Sequence, residues 1–187
     1  DRQSENRWEE RGRHLLSLMR YTTDMLVCAE DLGGVPSCVP KVLNELDILG
    51  LNISFWTRYY QRAGEPFIPV EEYPPTSVAT LSGHDTPTMR QWWEEVADPE
   101  TRKALCRAFH LKLNPADKPY TPETAAAVIN RFLLTSSRLC IFQIQELFAL
   151  TEKYRSKKPS EERINVPGTW HDTNCKYRLQ TIIETLK

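Results

Sequence analysis

Short strand-like segments alternate with helical periodicities along this chain. The segments cover residues 25–29, 51–56, 77–81 and 137–144, and the first three begin 26 residues apart. A short apolar run that is closed by glycines, as the first of these is, is typical of a parallel strand covered on both faces. The even spacing suits strand–connection–strand units. The pattern therefore predicts about four parallel strands with helices between them.

Helical spacing of apolar residues fills much of the remaining sequence. Residues 5–20 place Trp8 and three other large apolar side chains on one side of a predicted helix. Ser37 is expected to begin the next helix and Gly50 to end it. The charged segment Arg155–Glu162 is predicted to be a solvent-exposed connection. Further helices are predicted at Met89–Val96, Asp98–Phe109, Glu123–Leu134, Gln145–Tyr154 and Tyr177–Leu186.

The length of the chain limits how large a barrel it can form. A complete (β/α)₈ barrel takes ~250 residues, or about 31 residues for each strand–helix unit. This chain has 187 residues and carries additional helices between its third and fourth predicted strands. We therefore expect an α/β fold that is about half of a TIM (β/α)₈ barrel, folded as a single domain over residues 1–187.

Composition and charge exclude several classes of protein. Hydrophobic residues make up 40% of the chain and charged residues 26%, and the formal net charge is -1, as in many soluble globular proteins. We expect no binding to nucleic acid or to an anionic membrane, because this balance gives no attractive field. No apolar run approaches the roughly 20 residues that span a bilayer.

The N-terminus and the cysteines bear on cellular location. Asp1–Arg7 is charged and has no apolar stretch, so it does not resemble a signal peptide. Because the sequence does not begin with Met, we expect it to start inside a longer chain or to have been trimmed. The five cysteines include no C-x-x-C pair, and an odd number does not suit a disulfide framework. We predict a cytoplasmic protein with reduced thiols, with Cys28 and Cys140 in the core.

Carboxylates follow the ends of two predicted strands. Glu30 and Asp31 follow the first strand, and Asp85 follows the third. In parallel barrels, polar residues at these ends form the active-site face. Because side chains alternate between the faces of a strand, Glu30 and Asp31 should not both point at the site, and the pattern does not choose between them.

Two carboxylates on that face suggest glycoside chemistry. One would protonate the leaving oxygen, and the other would support the oxocarbenium-like centre. Alternatively, each carboxylate caps the helix that follows it. His84, beside Asp85, could hydrogen-bond a sugar hydroxyl or could be an ordinary loop residue.

The remaining chemical signals are weaker. The sequence contains no H-E-x-x-H, C-x-x-C or G-x-S-x-G motif and no glycine-rich phosphate loop. Trp92 and Trp93 are predicted to pack in the core. A cluster of aromatic residues could either stack on sugar rings or form core, and its members are Phe55, Trp56, Tyr59 and Tyr60.

Two longer motifs resemble those of the 4-α-glucanotransferases of glycoside hydrolase family 77. Residues 28–36 read C-A-E-D-L-G-G-V-P and are similar to the family's A-E-D-L-G motif. Residues 77–94 are similar to its S-V-x-T-x-x-x-H-D-x-x-T-x-R-x-W-W motif, and Ile164–Pro167 resembles its C-terminal loop. The order and rough spacing agree over nearly all of the chain. The resemblance implies that this chain is the C-terminal half of the family's catalytic barrel.

By this resemblance, Glu30 is the general acid/base and Asp85 stabilises the transition state. His84 would contact the sugar whose bond is cleaved, and Asp31 would play a supporting or capping role. The implied reaction transfers an α-1,4-glucan segment to the 4-hydroxyl of an acceptor glucan or glucose, with retention of configuration. It needs no metal ion and no organic cofactor, and its substrates are maltooligosaccharides and related α-glucans.

The chain also departs from the family pattern. The family's nucleophile is an Asp in an R-x-D-H-x-R type motif on the preceding strand, and no such motif occurs in these 187 residues. Asn174–Arg178 differs from the family's N-W-x-x-R or Y-W-R-Y-R segment, which puts any sugar contact there in doubt. We therefore expect these residues alone to be an inactive part of a transferase. Two alternatives are a glycan-binding or structural fragment without catalysis, and a hydrolase with Glu30 and Asp85 as its only catalytic pair.

Half a barrel has a further physical consequence. A barrel removes its sheet edges only by closing, so four strand–helix units leave two open edges and an uncovered inner face. We therefore predict that the 187-residue chain self-associates.

Overall fold

Helices and short parallel strands alternate along the part of the chain that the structure describes. The computed structural model describes residues 2–32 and 35–185. The α-helices are α1 (Arg2–Tyr21), α2 (Cys38–Glu45), α3 (Met89–Gln91), α4 (Pro99–Ala108), α5 (Pro122–Phe132) and α6 (Ile144–Phe148). The strands are β1 (Gly50–Ile53), β2 (Ser77–Thr80) and β3 (Leu139–Ile141). A π-helical turn at Trp92–Val96 follows α3, and 3₁₀ turns lie at Val70–Glu72, Pro159–Glu162 and Ile183–Thr185.

The three strands form one parallel sheet with β2 at its centre. Gly50 pairs with Ser77 at the start of β1 and β2, and Val78 pairs with Leu139. Each strand overlaps a segment that the sequence predicts as a strand. The predicted α/β class with a parallel sheet is therefore confirmed for the described part of the chain.

The first predicted strand, residues 25–29, forms only one parallel bridge, between Cys28 and Leu49. The amide of Ala29 donates to the Leu49 carbonyl oxygen at 2.8 Å, and the amide of Leu49 donates to the Val27 carbonyl oxygen at 3.1 Å. Beyond this bridge the segment does not continue along β1, so the described sheet has three strands. Met25 at the start of the segment is 72% exposed, because no second layer covers it in these residues.

Local capping sets where several helices begin. The Asp98 side chain accepts a 2.7 Å hydrogen bond from the amide of Thr101, and Pro99 occupies the first position of α4. Thr121 and Pro122 do the same for α5. Both starts agree with the sequence prediction. The capping oxygen accepts a hydrogen bond from an otherwise unpaired amide at the helix start, and the proline that follows has no amide that needs a partner.

Aromatic side chains fill the main core between the sheet and the helices that follow it. The Phe55 and Trp92 rings stack with their centroids 5.5 Å apart. Phe132 on α5 is fully buried and packs against the Tyr73, Phe109 and Phe142 rings. Such burial of large apolar side chains stabilises a fold by roughly 1.5–3 kcal/mol for each side chain.

The structure shows which of the aromatic residues lie in the core. Trp92 and Trp93 are 5% and 1% exposed, which confirms their predicted packing role. Phe55 is core as well. Trp56 and Tyr60 instead remain 41% and 53% exposed, beside a groove described below.

Two predictions for the C-terminal region are wrong. No α-helix forms in the described part of Tyr177–Leu186, where a single 3₁₀ turn is present, and residue 186 lies outside the described residues. Ile182 and Ile183 there are 68% and 67% exposed, so no packed surface supports a helix. The segment Arg155–Glu162 is not a solvated connection, because Ser156 and Glu162 are buried.

The cysteine predictions are only partly met. Cys106 is buried, whereas Cys140 is half-buried and Cys28 is exposed, so Cys28 is not a core residue. Cys28 lies in the bridge segment whose outer side carries no packing layer. Among the described residues, no helix is both long enough and apolar enough to cross a membrane. The described residues also contain no group of three or more His, Cys, Asp or Glu side chains arranged to hold a metal ion.

Candidate active site

Asp85 lies in the turn that leaves the C-terminal end of β2, and it is held from two sides. The Asn165 side chain donates a 2.5 Å hydrogen bond from Nδ2 to Asp85 Oδ1. His84 Nε2 lies 3.4 Å from the other carboxylate oxygen, Oδ2. Asp85 is half-buried and His84 is exposed. The carboxylate is therefore oriented by its neighbours and still reaches solvent.

The loop around residue 165 is attached to the Asp85 turn through its backbone as well. The amide of Asn165 donates to the His84 carbonyl oxygen at 3.0 Å. The Arg163 guanidinium donates from Nη2 to the Asp85 carbonyl oxygen at 3.2 Å and from Nε to the Asn165 carbonyl oxygen at 2.8 Å. The sequence indicates this loop only through a resemblance and gives Asn165 no role. The contact spans 80 residues, so no local pattern could have predicted it.

The structure separates the two carboxylates that follow the first predicted strand. Asp31 turns toward β1, where its Oδ1 accepts a 2.6 Å hydrogen bond from the amide of Leu51. Asp31 thereby satisfies an edge amide of the sheet, a structural role that leaves it little freedom. The side chain of Glu30 is exposed, and no described residue forms a hydrogen bond or ion pair with its carboxylate.

Gly50 explains why Asp31 can approach β1 so closely. A Cβ atom at Gly50 would lie 2.7 Å from Asp31 Oδ2, well inside van der Waals contact. A groove of about 490 Å³ opens beside Asp31, and its walls include the exposed Trp56 and Tyr60. Aromatic rings and one carboxylate along an open groove suit a polar ligand with apolar faces.

A buried carboxyl group lies beneath the Asp85 turn. Glu146 on α6 is 1% exposed, and its Oε1 accepts a 2.9 Å hydrogen bond from the amide of Met89. The same oxygen accepts a hydrogen bond from the Ser82 hydroxyl. Burial raises the pKa of Glu146 to about 7, and these two hydrogen bonds oppose the rise. The sequence does not indicate this site, since Glu146 lies in an ordinary helical segment.

A second buried carboxylate, Glu162, holds the C-terminal loops against α3. Its Oε1 accepts hydrogen bonds from Arg90 Nη1 at 2.8 Å and from the amide of Ser156 at 3.0 Å. Arg90 also donates to the Ser156 carbonyl oxygen at 2.9 Å. Burial raises the pKa of Glu162, while the charge of Arg90 opposes that rise. Arg90 belongs to the second sequence motif. Its hydrogen bonds to Glu162 and Ser156 anchor the 155–163 segment, which leads to Asn165.

Comparison with known proteins identifies the family. The sequence profile of glycoside hydrolase family 77, described as 4-alpha-glucanotransferase, matches residues 1–184. The chain belongs to this family. The resemblance in its motifs is thereby confirmed over nearly its whole length.

Curated relatives in the family are identical to this chain at about one aligned residue in three. A 4-alpha-glucanotransferase of Chlamydia pneumoniae is 35% identical over 177 residues, which cover 95% of this chain and 32% of the relative. The 4-alpha-glucanotransferase DPE2 of Oryza sativa subsp. japonica is 32% identical over 189 residues, covering 97% of this chain and 19% of the relative. The chain thus spans about a third or less of the length of these relatives.

Solved structures agree on the fold. An amylomaltase from Streptococcus agalactiae in complex with acarbose matches 86% of this chain and 28% of its own, with a TM-score of 0.61 and 20% identity. An amylomaltase from Corynebacterium glutamicum matches 82% of this chain and 24% of its own, with a TM-score of 0.59 and 19% identity. Amylomaltases are TIM-barrel enzymes, and a parallel three-stranded α/β sheet is consistent with part of such a barrel.

Proposed function

We propose that this chain is the C-terminal half of the catalytic (β/α)₈ barrel of a 4-α-glucanotransferase. The observation that carries the proposal is the oriented Asp85 carboxylate, held by Asn165 and flanked by His84 in a member of this family. Glu30 supplies the second carboxylate of the site, exposed and unpaired among the described residues. The substrates are α-1,4-glucans, and the reaction transfers a glucan segment to the 4-hydroxyl of an acceptor.

The proposed chemistry divides between the two carboxyl groups. Glu30, in its acid form, gives its proton to the glycosidic oxygen as the bond to the anomeric carbon breaks, so that the departing glucan leaves with a free hydroxyl. A nucleophilic Asp outside these 187 residues bonds to the anomeric carbon. Glu30, now a carboxylate, takes the proton from the acceptor 4-hydroxyl, whose oxygen replaces the Asp ester with overall retention.

Asp85 acts while positive charge develops on the sugar ring. A carboxylate fixed by Asn165 does not need to reorganise as the oxocarbenium-like centre forms, which is why preorganised charge is effective. His84 contributes a hydrogen bond to a sugar hydroxyl, and its exposure next to this carboxylate supports that role. Transfer competes with hydrolysis only where the site excludes water, so we assign that exclusion to the assembled barrel.

The test replaces each carboxylate in the enzyme that contains this chain. Glu30→Gln and Asp85→Asn should each lower the rate of maltotriose disproportionation by about 10²–10⁴-fold, since each removes one catalytic group. Glu100→Gln is the matched control, because Glu100 is a carboxylate on α4 whose side chain is 82% exposed. A Glu30→Gln or Asp85→Asn enzyme with near-normal transfer would remove that residue from the mechanism.

We also propose that the 187 residues alone are inactive and self-associate. They contain no R-x-D-H motif, so no glucosyl ester can form on them by the proposed chemistry. β3 is an edge of the described sheet, and Ile141 on it is 54% exposed. Leu147 on α6 and Leu150 just after α6 are each 41% exposed, and burying apolar surface yields roughly 25 cal/mol per Å². Light scattering at micromolar concentration should detect a dimer or larger species, and a monodisperse monomer would contradict this proposal.

A further inference from the structure

One buried carboxylate oxygen holds both ends of the turn that carries Asp85. Glu146 Oε1 accepts from the Ser82 hydroxyl, which lies three residues before Asp85, and from the amide of Met89, which lies four residues after it. Glu146 itself is on α6, and it reaches Ser82 across 64 residues of sequence. The two donors therefore converge on a point that belongs to a different strand–helix unit.

The turn between these two anchors is itself closely bonded. The Thr86 hydroxyl accepts from the amide of Gly83 at 2.9 Å and donates to the Gly83 carbonyl oxygen at 3.0 Å. At the far end, the Thr88 side chain caps α3 by accepting from the amide of Gln91. A segment that is rigid within itself moves as a unit, so its position depends on where its ends are held. Both ends are held by Glu146.

We infer that Glu146 is a positioning residue that fixes the location of the Asp85 carboxylate through the ends of its turn. The inference rests on the proposed function, because a position matters only if Asp85 acts on the substrate. Asn165 orients the carboxylate at the surface, whereas Glu146 fixes the underlying backbone. An apolar residue at position 146 would leave the buried Met89 amide without this acceptor, and the Ser82 hydroxyl with Gln143 Oε1 at 3.2 Å in its place.

The protonation state of Glu146 supports this role. Burial raises its pKa to about 7, so the group is largely neutral in mildly acidic solution and acts as a hydrogen-bonding group more than as a charge. A glutamine side chain has the same carbonyl acceptor in nearly the same place. Glu146→Gln is therefore expected to keep the function of the residue, and Glu146→Leu to lose it.

The kinetic test uses the complete enzyme and maltotriose. Glu146→Leu should lower kcat by between about 10-fold and 100-fold, which is the effect expected when a catalytic group is displaced by roughly 1 Å. KM should stay within about twofold of the wild-type value, because the residue does not touch substrate. Glu146→Gln should restore kcat to within about threefold of wild type.

Two serines on either side of β2 distinguish a positioning role from a general loss of stability: Ser77 is its first residue, and Ser82 lies two residues beyond its last. Ser82→Ala removes one of the two donors to Glu146, and it also covers the case in which Glu146→Leu does not fold. Ser77→Ala is the matched control, since Ser77 is also 1% exposed and its hydroxyl donates to the Pro74 carbonyl oxygen at 2.5 Å, at the other end of the strand. Ser82→Ala should lower kcat at least threefold, and Ser77→Ala should leave it unchanged.

A donor with an activated leaving group distinguishes the loss of Asp85's function from the loss of the general acid, Glu30. Fluoride leaves an α-maltosyl fluoride without needing a proton, so Glu30→Gln should keep much of the wild-type rate of fluoride release in the first turnover, although the later transfer to the acceptor still lacks its base. Glu146→Leu and Asp85→Asn should remain slow with this donor, because positive charge still develops on the sugar ring and Asp85 is what stabilises it.

The possible outcomes separate the two proposals. Equal losses in Ser77→Ala and Ser82→Ala, or a wild-type kcat in a folded Glu146→Leu enzyme, would overturn the positioning role alone. A near-normal kcat in Asp85→Asn would overturn the proposed function and this inference together.

Discussion

Glu146→Gln should change how the stability of the protein depends on pH, in a direction that the structure fixes. The ordinary pKa of a glutamate carboxyl is 4.5, and burial raises the pKa of Glu146 to about 7 in the folded protein. Between these values the unfolded chain has released the proton and the folded protein still holds it. The free energy of unfolding of the wild type therefore falls as pH rises from 4.5 to about 7, and this contribution is fully present only below pH 4.5.

The size of the effect follows from the same two values. A shift of one pKa unit corresponds to 1.36 kcal/mol, so the glutamate loses about 2–3 kcal/mol of stability between pH 5 and pH 8. Glutamine does not titrate and loses nothing. Glu162 and Tyr120 interact electrostatically with Glu146. Both are present in the wild type and in Glu146→Gln, so their own contributions largely cancel when the free energies of unfolding of the two proteins are subtracted.

Urea unfolding of wild type and Glu146→Gln at pH 5, 6, 7 and 8 measures that difference. The free energy of unfolding of the variant, relative to that of the wild type, should increase steadily up to about pH 7 and then stay constant. Repeating the series in 1 M salt is the control, because salt screens exposed charges and leaves a desolvated group almost unaffected. A difference that stays constant from pH 5 to pH 8 would refute the claim that Glu146 is held neutral by burial.

Two further substitutions test how the site is held. Glu162→Gln should destabilise the protein by about 1–3 kcal/mol in thermal unfolding, because it removes the nearer carboxylate of the buried Arg90 and leaves only Glu94, whose Oε1 lies 3.5 Å from Arg90 Nε; a shift in Tm of less than about 1 °C would contradict this. Gly50→Ala should cost about 1–3 kcal/mol by forcing Asp31 away from β1, and its cost should fall markedly in an Asp31→Ala background; additive costs in that double-mutant cycle would show that the two residues do not interact.

The parts of the fold that follow from short-range chemistry could be predicted from the sequence. Asp98-Pro99 and Thr121-Pro122 begin helices because a side-chain oxygen and a proline act within one turn. β2 could be found from its spacing, because the third predicted strand begins 26 residues after the second, as the second does after the first. The helix predicted at Tyr177–Leu186 does not form, because its apolar residues have no surface to pack against, and periodicity in the sequence does not reveal whether such a surface exists.

The supporting contacts of the candidate site could not be predicted, since each joins distant parts of the chain. Glu146 meets Ser82 over 64 residues, and Asn165 meets Asp85 over 80 residues. A glutamate in a helical segment has the same local pattern whether it faces water or a buried turn. The choice between the two carboxylates after the first strand likewise needed the position of β1, because only the contact of Asp31 with the Leu51 amide distinguishes them.

The parallel pairing of β2 with β3 has a consequence for synthesis of the chain. Ser77 begins β2 and Ser137 lies two residues before β3; their hydroxyls are 2.7 Å apart, although 60 residues separate them in sequence. At a translation rate of about 5–20 residues per second, β3 leaves the ribosome roughly 3–12 seconds after β2. During that interval one edge of β2 has no strand to pair with, and an unpaired edge is a template for aggregation. We expect nascent chains halted between the two strands to depend on chaperones more than chains halted after β3.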